Sequence, residues 1–131
     1  MKKLNIEILT PYGKYYAGEV DAILVHSEDF YMEILPNHSP LVSSLVVSKM
    51  IIKNGSEDVP YAIGGGIIRV EKGKTTLLLN SIEHKDEIDI DRAHQAKARA
   101  EERLGNKDGL DVARATRALQ RALNRISVYN S

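Results

Sequence analysis

EIDIDRA, residues 87–93, marks the point where the chain changes period. Upstream, apolar residues alternate with polar ones, as on strands with one buried face. Downstream come long runs of Ala, Arg, Glu and Leu. Asp89 or Asp91 is suited to cap a helix here, and acids in a first turn favour the helix dipole. The junction divides the chain into a β-rich region, residues 1–84, and a helical region, residues 85–131.

In the β-rich region Leu4, Ile6 and Ile8 alternate with Asn5 and Glu7. VDAILV (20–25) and MIIK (50–53) read as further strands, and Asn54-Gly55 signals a hairpin. IIRV (67–70) and TTLLL (75–79) flank EKGK in a second hairpin. Many short strands with polar turns point to a sandwich or flattened barrel. In the helical region a first helix begins near residue 88 and ends at Gly105-Asn106. Lys107-Asp108-Gly109 connects it to a second helix, from about Asp111 to about Tyr129. So short a link favours an antiparallel hairpin.

The facing stripes of these helices are Ala93, Ala96, Ala100 and Leu104 on one side. On the other they are Val112, Ala115, Leu119, Ala122, Leu123 and Ile126. A buried methyl group contributes about 0.8 kcal/mol, so the Ala positions supply only about 3 kcal/mol. A ligand at 100 times its dissociation constant supplies about 2.7 kcal/mol by linkage. The seam fits either a permanently packed hairpin or one that a ligand docks and releases.

Composition excludes several classes. The 131 residues include no Cys, so there is no disulfide, thiol nucleophile or thiolate metal site. No apolar stretch approaches the roughly 18 residues of a membrane span, and MKKLNIEILTPYGK lacks the apolar run of a signal peptide. Formal net charge is zero, which argues against a general nucleic-acid or membrane-surface binder. Residues 1–84 hold 8 basic and 10 acidic side chains, and residues 85–131 hold 10 and 8, mostly Arg among the bases. Arg suits bidentate contact with carboxylate or phosphate.

GGG (64–66) followed by GKT (73–75) imitates a phosphate loop, but Ile68 stands where such a loop needs glycine. Gly64-Gly65-Gly66 instead suits a bulge or a close backbone approach within the sheet. His26, His38, His84 and His94 have no metal-site spacing, and no Ser sits in a nucleophile elbow. Nothing in the pattern argues for an enzyme. LPNHSPL (35–41) is a rigid turn that presents His38. Arg114, Arg117, Arg121 and Arg125 form a stripe, and Arg92, Arg99 and Arg103 a second one. Such stripes are commonly solvated faces, yet two on antiparallel helices can converge on one anion.

In this order and at these distances, LPNHSPL (35–41), AIGGGIIRV (62–70), IDIDRAHQAKARAEERL (88–104) and RALQRALNRISV (117–128) resemble the epsilon subunit of bacterial F-type rotary ATP synthases over the whole chain. The resemblance implies a ten-stranded β-sandwich followed by an antiparallel two-helix hairpin. It implies a non-catalytic rotor subunit at the foot of the gamma subunit, touching the c-ring, on the cytoplasmic face of the bacterial membrane. The hairpin would fold onto the sandwich or extend along gamma, where its basic face, including Arg114 and Arg117, meets acidic segments of the beta subunits and inhibits ATP hydrolysis. Tyr31 and His38 would lie at the ring contact. There the chain departs from the family, with Phe30, Tyr31 and Glu33 where Gly, Leu or Phe, and Gly are common.

Some bacterial members bind ATP through an I/L-D-x-x-R-A motif, read here as Ile88-Asp89-Ile90-Asp91-Arg92-Ala93. By the same resemblance Glu83, Arg99, Arg121 and Arg125 supply further contacts. Ile88 and Ala93 would touch adenine, Asp89 would accept from its amino group, and the arginines would take the phosphates. Magnesium is not required by that logic. The competing expectations are the same rotor subunit with a constitutive hairpin and no nucleotide, and a free-standing small-molecule-binding β-domain.

Overall fold

The computed structural model describes residues 2–105 and 112–131. The expected connector Lys107-Asp108-Gly109, the residue Asn106 and the start of the second helix at Asp111 lie outside the described residues.

Among the described residues the β-rich region has eight strands. They are β1 (Leu4–Thr10), β2 (Gly13–Val20), β3 (Ala22–His26), β4 (Tyr31–Ile34), β5 (Leu41–Asn54), β6 (Glu57–Glu71), β7 (Lys74–Leu79) and β8 (Ile82–His84). They form one hydrogen-bonded path, β2-β1-β7-β6-β5-β3-β4, with β8 on β6. All pairings are antiparallel except β1 with β7.

The expected count of ten gives way to eight because β5 and β6 each run through both layers. Their ladder passes from Leu45↔Gly66 to Val47↔Gly64, leaving Val46 and Gly65 unpaired at a shared bend. The inward-facing set changes parity there, from Leu45 to Met50 and Ile52 on β5, and from Ile63 to Ile68 and Val70 on β6. One layer comprises β4, β3, the second half of β5, the first half of β6, and β8. The other comprises β2, β1, β7 and the remaining halves. Counting each bent strand twice restores five strands per layer.

The glycine run makes the bend possible. Gly65 has φ 85° and Gly66 φ 152°, and a Cβ on Gly66 would lie 2.1 Å from the Leu78 carbonyl oxygen. Backbone thus approaches backbone where no side chain fits. The Asn80 amide donates to the Gly65 carbonyl (2.9 Å), and the Gly64 amide to Ser81 O (3.0 Å). Of the two expectations for Gly64-Gly65-Gly66, the close backbone approach is therefore present, while the β5–β6 ladder keeps a constant register and has no bulge. Both expected hairpins are present too, with Asn54 opposite Glu57 and Glu71 opposite Lys74. VDAILV divides between β2 and β3, because Asp21 turns the chain and takes up Lys3 and the Gly55 amide.

All eight strands contribute to one apolar core, including Ile6, Ile8, Val20, Ile23, Val25, Ile34, Met50, Ile63, Ile68, Leu77, Leu79 and Ile82. Its side chains are mostly β-branched, which suits packing on a pleated surface.

After β8 a 3₁₀ turn, Lys85–Glu87, leads to α1 (Ile90–Gly105). Asp89 caps α1: its Oδ1 accepts from the Arg92 amide at 3.1 Å. Asp91 lies in the first turn. The second helix, α2 (Val112–Tyr129), packs along α1 and lies across the outer face of β5 and β6. The buried seam residues are Ala93, Ala100, Ala115 and Ala122. Two expected members, Val112 and Leu123, are exposed instead. Leu123 stands about 100° from Ala122 around the helix, on a flank that neither α1 nor the sheet covers.

The hairpin is folded onto the sandwich. Fully buried Val128 packs with Ala62 of β6 and Ile88 of the junction in a second apolar cluster. The Asn124 amide donates to Ser48 O (2.8 Å) and, longer, to Ile63 O (3.4 Å), spanning β5 and β6 beside the bend. Lys85 Nζ donates to Ser131 O (2.7 Å).

Candidate functional site at the root of the hairpin

A cleft of about 500 Å³ lies between α1, α2 and the segment that joins them to the sandwich. That is within the size range of small-molecule sites. The Ala-rich seam explains its presence. Ala93, Ala96, Ala100 and Ala118 all line it, and short side chains at these positions leave space between the two helix backbones.

Its polar lining comes from both regions of the chain. β8 supplies Glu83, the 3₁₀ turn Glu87, and the cap of α1 Asp89. Arg92, Arg99 and Arg103 come from α1, and Arg121 and Arg125 from α2. The two arginine stripes thus converge, as their antiparallel arrangement allows. Arg114 and Arg117 are exposed and lie outside the lining.

Of the residues expected at a nucleotide site, Glu83, Asp89, Arg92, Ala93, Arg99, Arg121 and Arg125 all line this one cleft. Ile88 does not. It is buried beneath the site with Ala62 and Val128, where it fixes the junction to the sheet. Glu87 and Arg103 are additions to the expected set, although Arg103 belongs to the α1 stripe. Glu87 has a legible signal: it stands three residues after His84, and the two form a reciprocal capping pair.

Arg125 donates from Nε to the Glu83 carboxylate. Among the described residues, Arg92, Arg99, Arg103 and Arg121 form no ion pair. Five guanidinium groups against three carboxylates leave the cleft positive, and four of those five are open to an incoming anion. Guanidinium presents paired N–H donors that match phosphate and carboxylate oxygens. The arrangement has the charge and donors to accommodate a polyanion that also carries hydrogen-bond donors for its acids.

Glu87 is tied to the sandwich. Its Oε1 accepts from the Tyr15 hydroxyl of β2 and from the His84 amide (2.8 Å). These two bonds, the hydroxyl's first, hold its carboxyl below the usual range. Burial and the same carboxylate push the Tyr15 hydroxyl far up. Tyr15 meets Tyr61 edge-on at 6.3 Å, and Tyr61 meets His84 at 5.4 Å. An aromatic and hydrogen-bonded layer thus underlies the cleft.

The other two singled-out residues lie elsewhere. Tyr31 begins β4, is exposed, and packs at 4.2 Å against His26, whose pKa is lowered by burial and then by Lys49. His38 lies in the loop before β5, with Nδ1 2.7 Å from Ser39 O. Asn37 beside it adopts φ 65°. No cluster of three or more His, Asp or Glu able to hold a metal exists among the described residues. Among those residues no helix is long and apolar enough to cross a membrane.

The chain matches two family models. Residues 3–85 match the ATP synthase delta/epsilon chain β-sandwich domain, and residues 86–130 match its long α-helix domain. It is 46% identical over 129 residues to the ATP synthase epsilon chain of Bacillus cereus strain G9842, covering 98% of this chain and 97% of that one. It is 43% identical over 131 residues to that of Bacillus cytotoxicus, covering 99% and 98%. Among solved structures, a chain of the Euglena gracilis mitochondrial ATP synthase OSCP/F1/c-ring assembly superposes with a TM-score of 0.80 at 19% identity, over 90% of this chain and 76% of that one. A chain of the Tetrahymena thermophila mitochondrial ATP synthase central stalk and c-ring gives 0.66 at 16% identity, over 98% and 95%. Both structural likenesses speak to the fold. With models matching nearly end to end and relatives alike over almost their full length, the chain belongs to the ATP synthase epsilon chain family.

Proposed function

We propose that the chain is a non-catalytic central-stalk subunit of an F-type ATP synthase and that its hairpin is an ATP-sensing inhibitor of hydrolysis. The sandwich would seat on the gamma subunit and the c-ring, with Tyr31 and His38 toward the ring. The complex would sit on the cytoplasmic face of a bacterial membrane, with this subunit peripheral to it. The observation that carries the regulatory role is the convergence of Glu83, Asp89, Arg92, Ala93, Arg99, Arg121 and Arg125 on one cleft at the joint. A ligand there touches α1, α2 and β8 together, and so opposes separation of hairpin from sandwich.

The magnitudes agree. The buried Ala residues contribute about 3 kcal/mol to the seam. ATP at 100 times its dissociation constant adds about 2.7 kcal/mol. Binding is thus comparable to what the seam itself contributes. Once the hairpin extends, exposed Arg114 and Arg117 are available to acidic segments of the beta subunits. Magnesium is not needed to offset the phosphates where several guanidiniums already converge.

Calorimetry with ATP on wild type and Arg92→Ala tests the site. Affinity should fall at least about 10-fold, as for loss of a charge-assisted contact; equal affinities would sink the nucleotide assignment. Co-purification with gamma tests the stalk placement, and its failure would favour a free-standing binding domain. The second reading is a constitutive brace, favoured by the Asn124 and Lys85 ties, which join the end of the hairpin to the sandwich and the junction through protein groups outside the cleft. On that reading, deleting residues 88–131 leaves hydrolysis by the complex unchanged. On the favoured reading it raises hydrolysis.

A further inference from the structure

We propose that Glu87 is a specificity residue of the cleft, accepting a hydrogen bond from a donor on the nucleoside half of the bound nucleotide. The inference rests on the nucleotide reading above and adds a residue outside the recognised motif. Glu87 lines the same cleft as the motif residues. Both of its hydrogen bonds fall on Oε1, one from Tyr15 on β2 and one from the His84 amide. The other carboxylate oxygen accepts nothing among the described residues. One oxygen is therefore clamped from below, which sets the rotamer and leaves its twin for an occupant.

The remaining acids of the cleft serve other partners. Glu83 is held by Arg125, and Asp89 caps α1 through Oδ1. Glu87 is anchored by neutral donors alone, so its charge is not matched by a guanidinium. A carboxylate kept ionised has no proton to donate and can only accept hydrogen bonds, as from hydroxyl or amino groups. Tyr15 and the His84 amide keep Glu87 in that state, since they hold its carboxyl below the usual range.

Charge along the cleft fixes which end of the ligand meets it. Glu83, Glu87 and Asp89 all lie at the root of the hairpin. Arg99 and Arg103 stand seven and eleven residues beyond Arg92 on α1, about 10 and 16 Å further out at 1.5 Å per residue. Phosphates are repelled from the acid end and drawn outward, so the sugar and base lie at the root. Ribose hydroxyls and an exocyclic amino group are the donors available there.

The sign of the effect separates this role from a structural one. Glu87→Gln removes a negative charge from a cleft that binds an anion, so a bystander glutamate would leave ATP affinity unchanged or raise it. We expect the reverse, a fall of about 10-fold or more in calorimetry with ATP. The loss should vanish against one of 2′-deoxy-ATP, 3′-deoxy-ATP or inosine triphosphate, and that analogue identifies the donor. Tyr15→Phe, which keeps the His84 bond, should give a smaller loss with the same analogue pattern. Circular dichroism on both variants reports whether the fold is kept. Unchanged or tighter ATP binding by Glu87→Gln overturns the proposal, as does an equal loss for ATP and all three analogues. Those results leave the cleft reading standing. Failure of wild type to bind ATP overturns both.

Discussion

Arg125 Nε donates to the carboxylate of Glu83, and this ion pair joins α2 to β8 across the root of the hairpin. Both side chains are about one-third exposed, at 32% and 29%. Solvent screening therefore limits the pair to about 0.5–1 kcal/mol. A double-mutant cycle with Arg125→Ala and Glu83→Ala in urea should return a coupling of that size. Zero coupling would mean that the pair does not hold the hairpin.

Ile88 carries more of the docking. Its side chain is buried against Ala62 and Val128, away from the cleft wall. Ile88→Ala should cost about 2–4 kcal/mol of local stability without any nucleotide present. Hydrogen exchange reads this directly. Amides of α2 should lose protection while those of β1 and β7 keep theirs; uniform loss across the molecule would contradict the placement.

The bend of β5 and β6 depends on Gly66, where a Cβ would strike the Leu78 carbonyl oxygen and the Leu79 backbone. Gly66→Ala should destabilise the sandwich by about 2–4 kcal/mol, from backbone displacement and the strained φ. Gly55→Ala is the control: it also has positive φ but meets nothing within 4 Å, and should cost less. Urea midpoints that rank the two the other way would refute the close-approach account.

Acid stability should depend on Glu87. Its folded pKa lies below the ordinary 4.5, chiefly through the Tyr15 hydroxyl. The unfolded chain then binds the proton first as pH falls. The stabilisation is fully present above about pH 4.5 and is lost as pH drops through the lower folded value. Urea midpoints for wild type and Glu87→Gln should differ at pH 6 and converge toward pH 3. Parallel curves would show that Glu87 gains nothing on folding.

Alternation exposes β1, β7 and both hairpins because each has one face in the core and one outside, with polar residues at the turns. The count fails at β5 for a related reason. Leu41–Asn54 contains no glycine or proline, and its polar pairs Ser43-Ser44 and Ser48-Lys49 do not distinguish a change of layer from a turn between two strands. The break is encoded on the partner strand, in Gly65 and Gly66, and reaches β5 only through the ladder. Spacing alone puts Leu123 on the seam because a helix 18 residues long carries more than one apolar stripe, and only tertiary contact decides which is covered. In the cleft, the arginine spacings are visible as stripes, but their convergence with Glu83 requires the hairpin to be folded down. Glu87 is legible as a capping partner of His84, but its place in the cleft is not, because an acid near a helix start already has a sufficient reason to be there.

The shared bend of β5 and β6 has a mechanical meaning. In a sandwich of two separate sheets, sideways load is borne by side chains alone, which slide past one another as the layers shear. Here two adjacent strands pass from one layer to the other, so shear must deform peptide backbone that hydrogen bonds already hold in register. The bend works as a welded corner in a frame. A push on the loop around His38, just before β5, enters that strand in one layer and leaves it in the other, directly beneath α2.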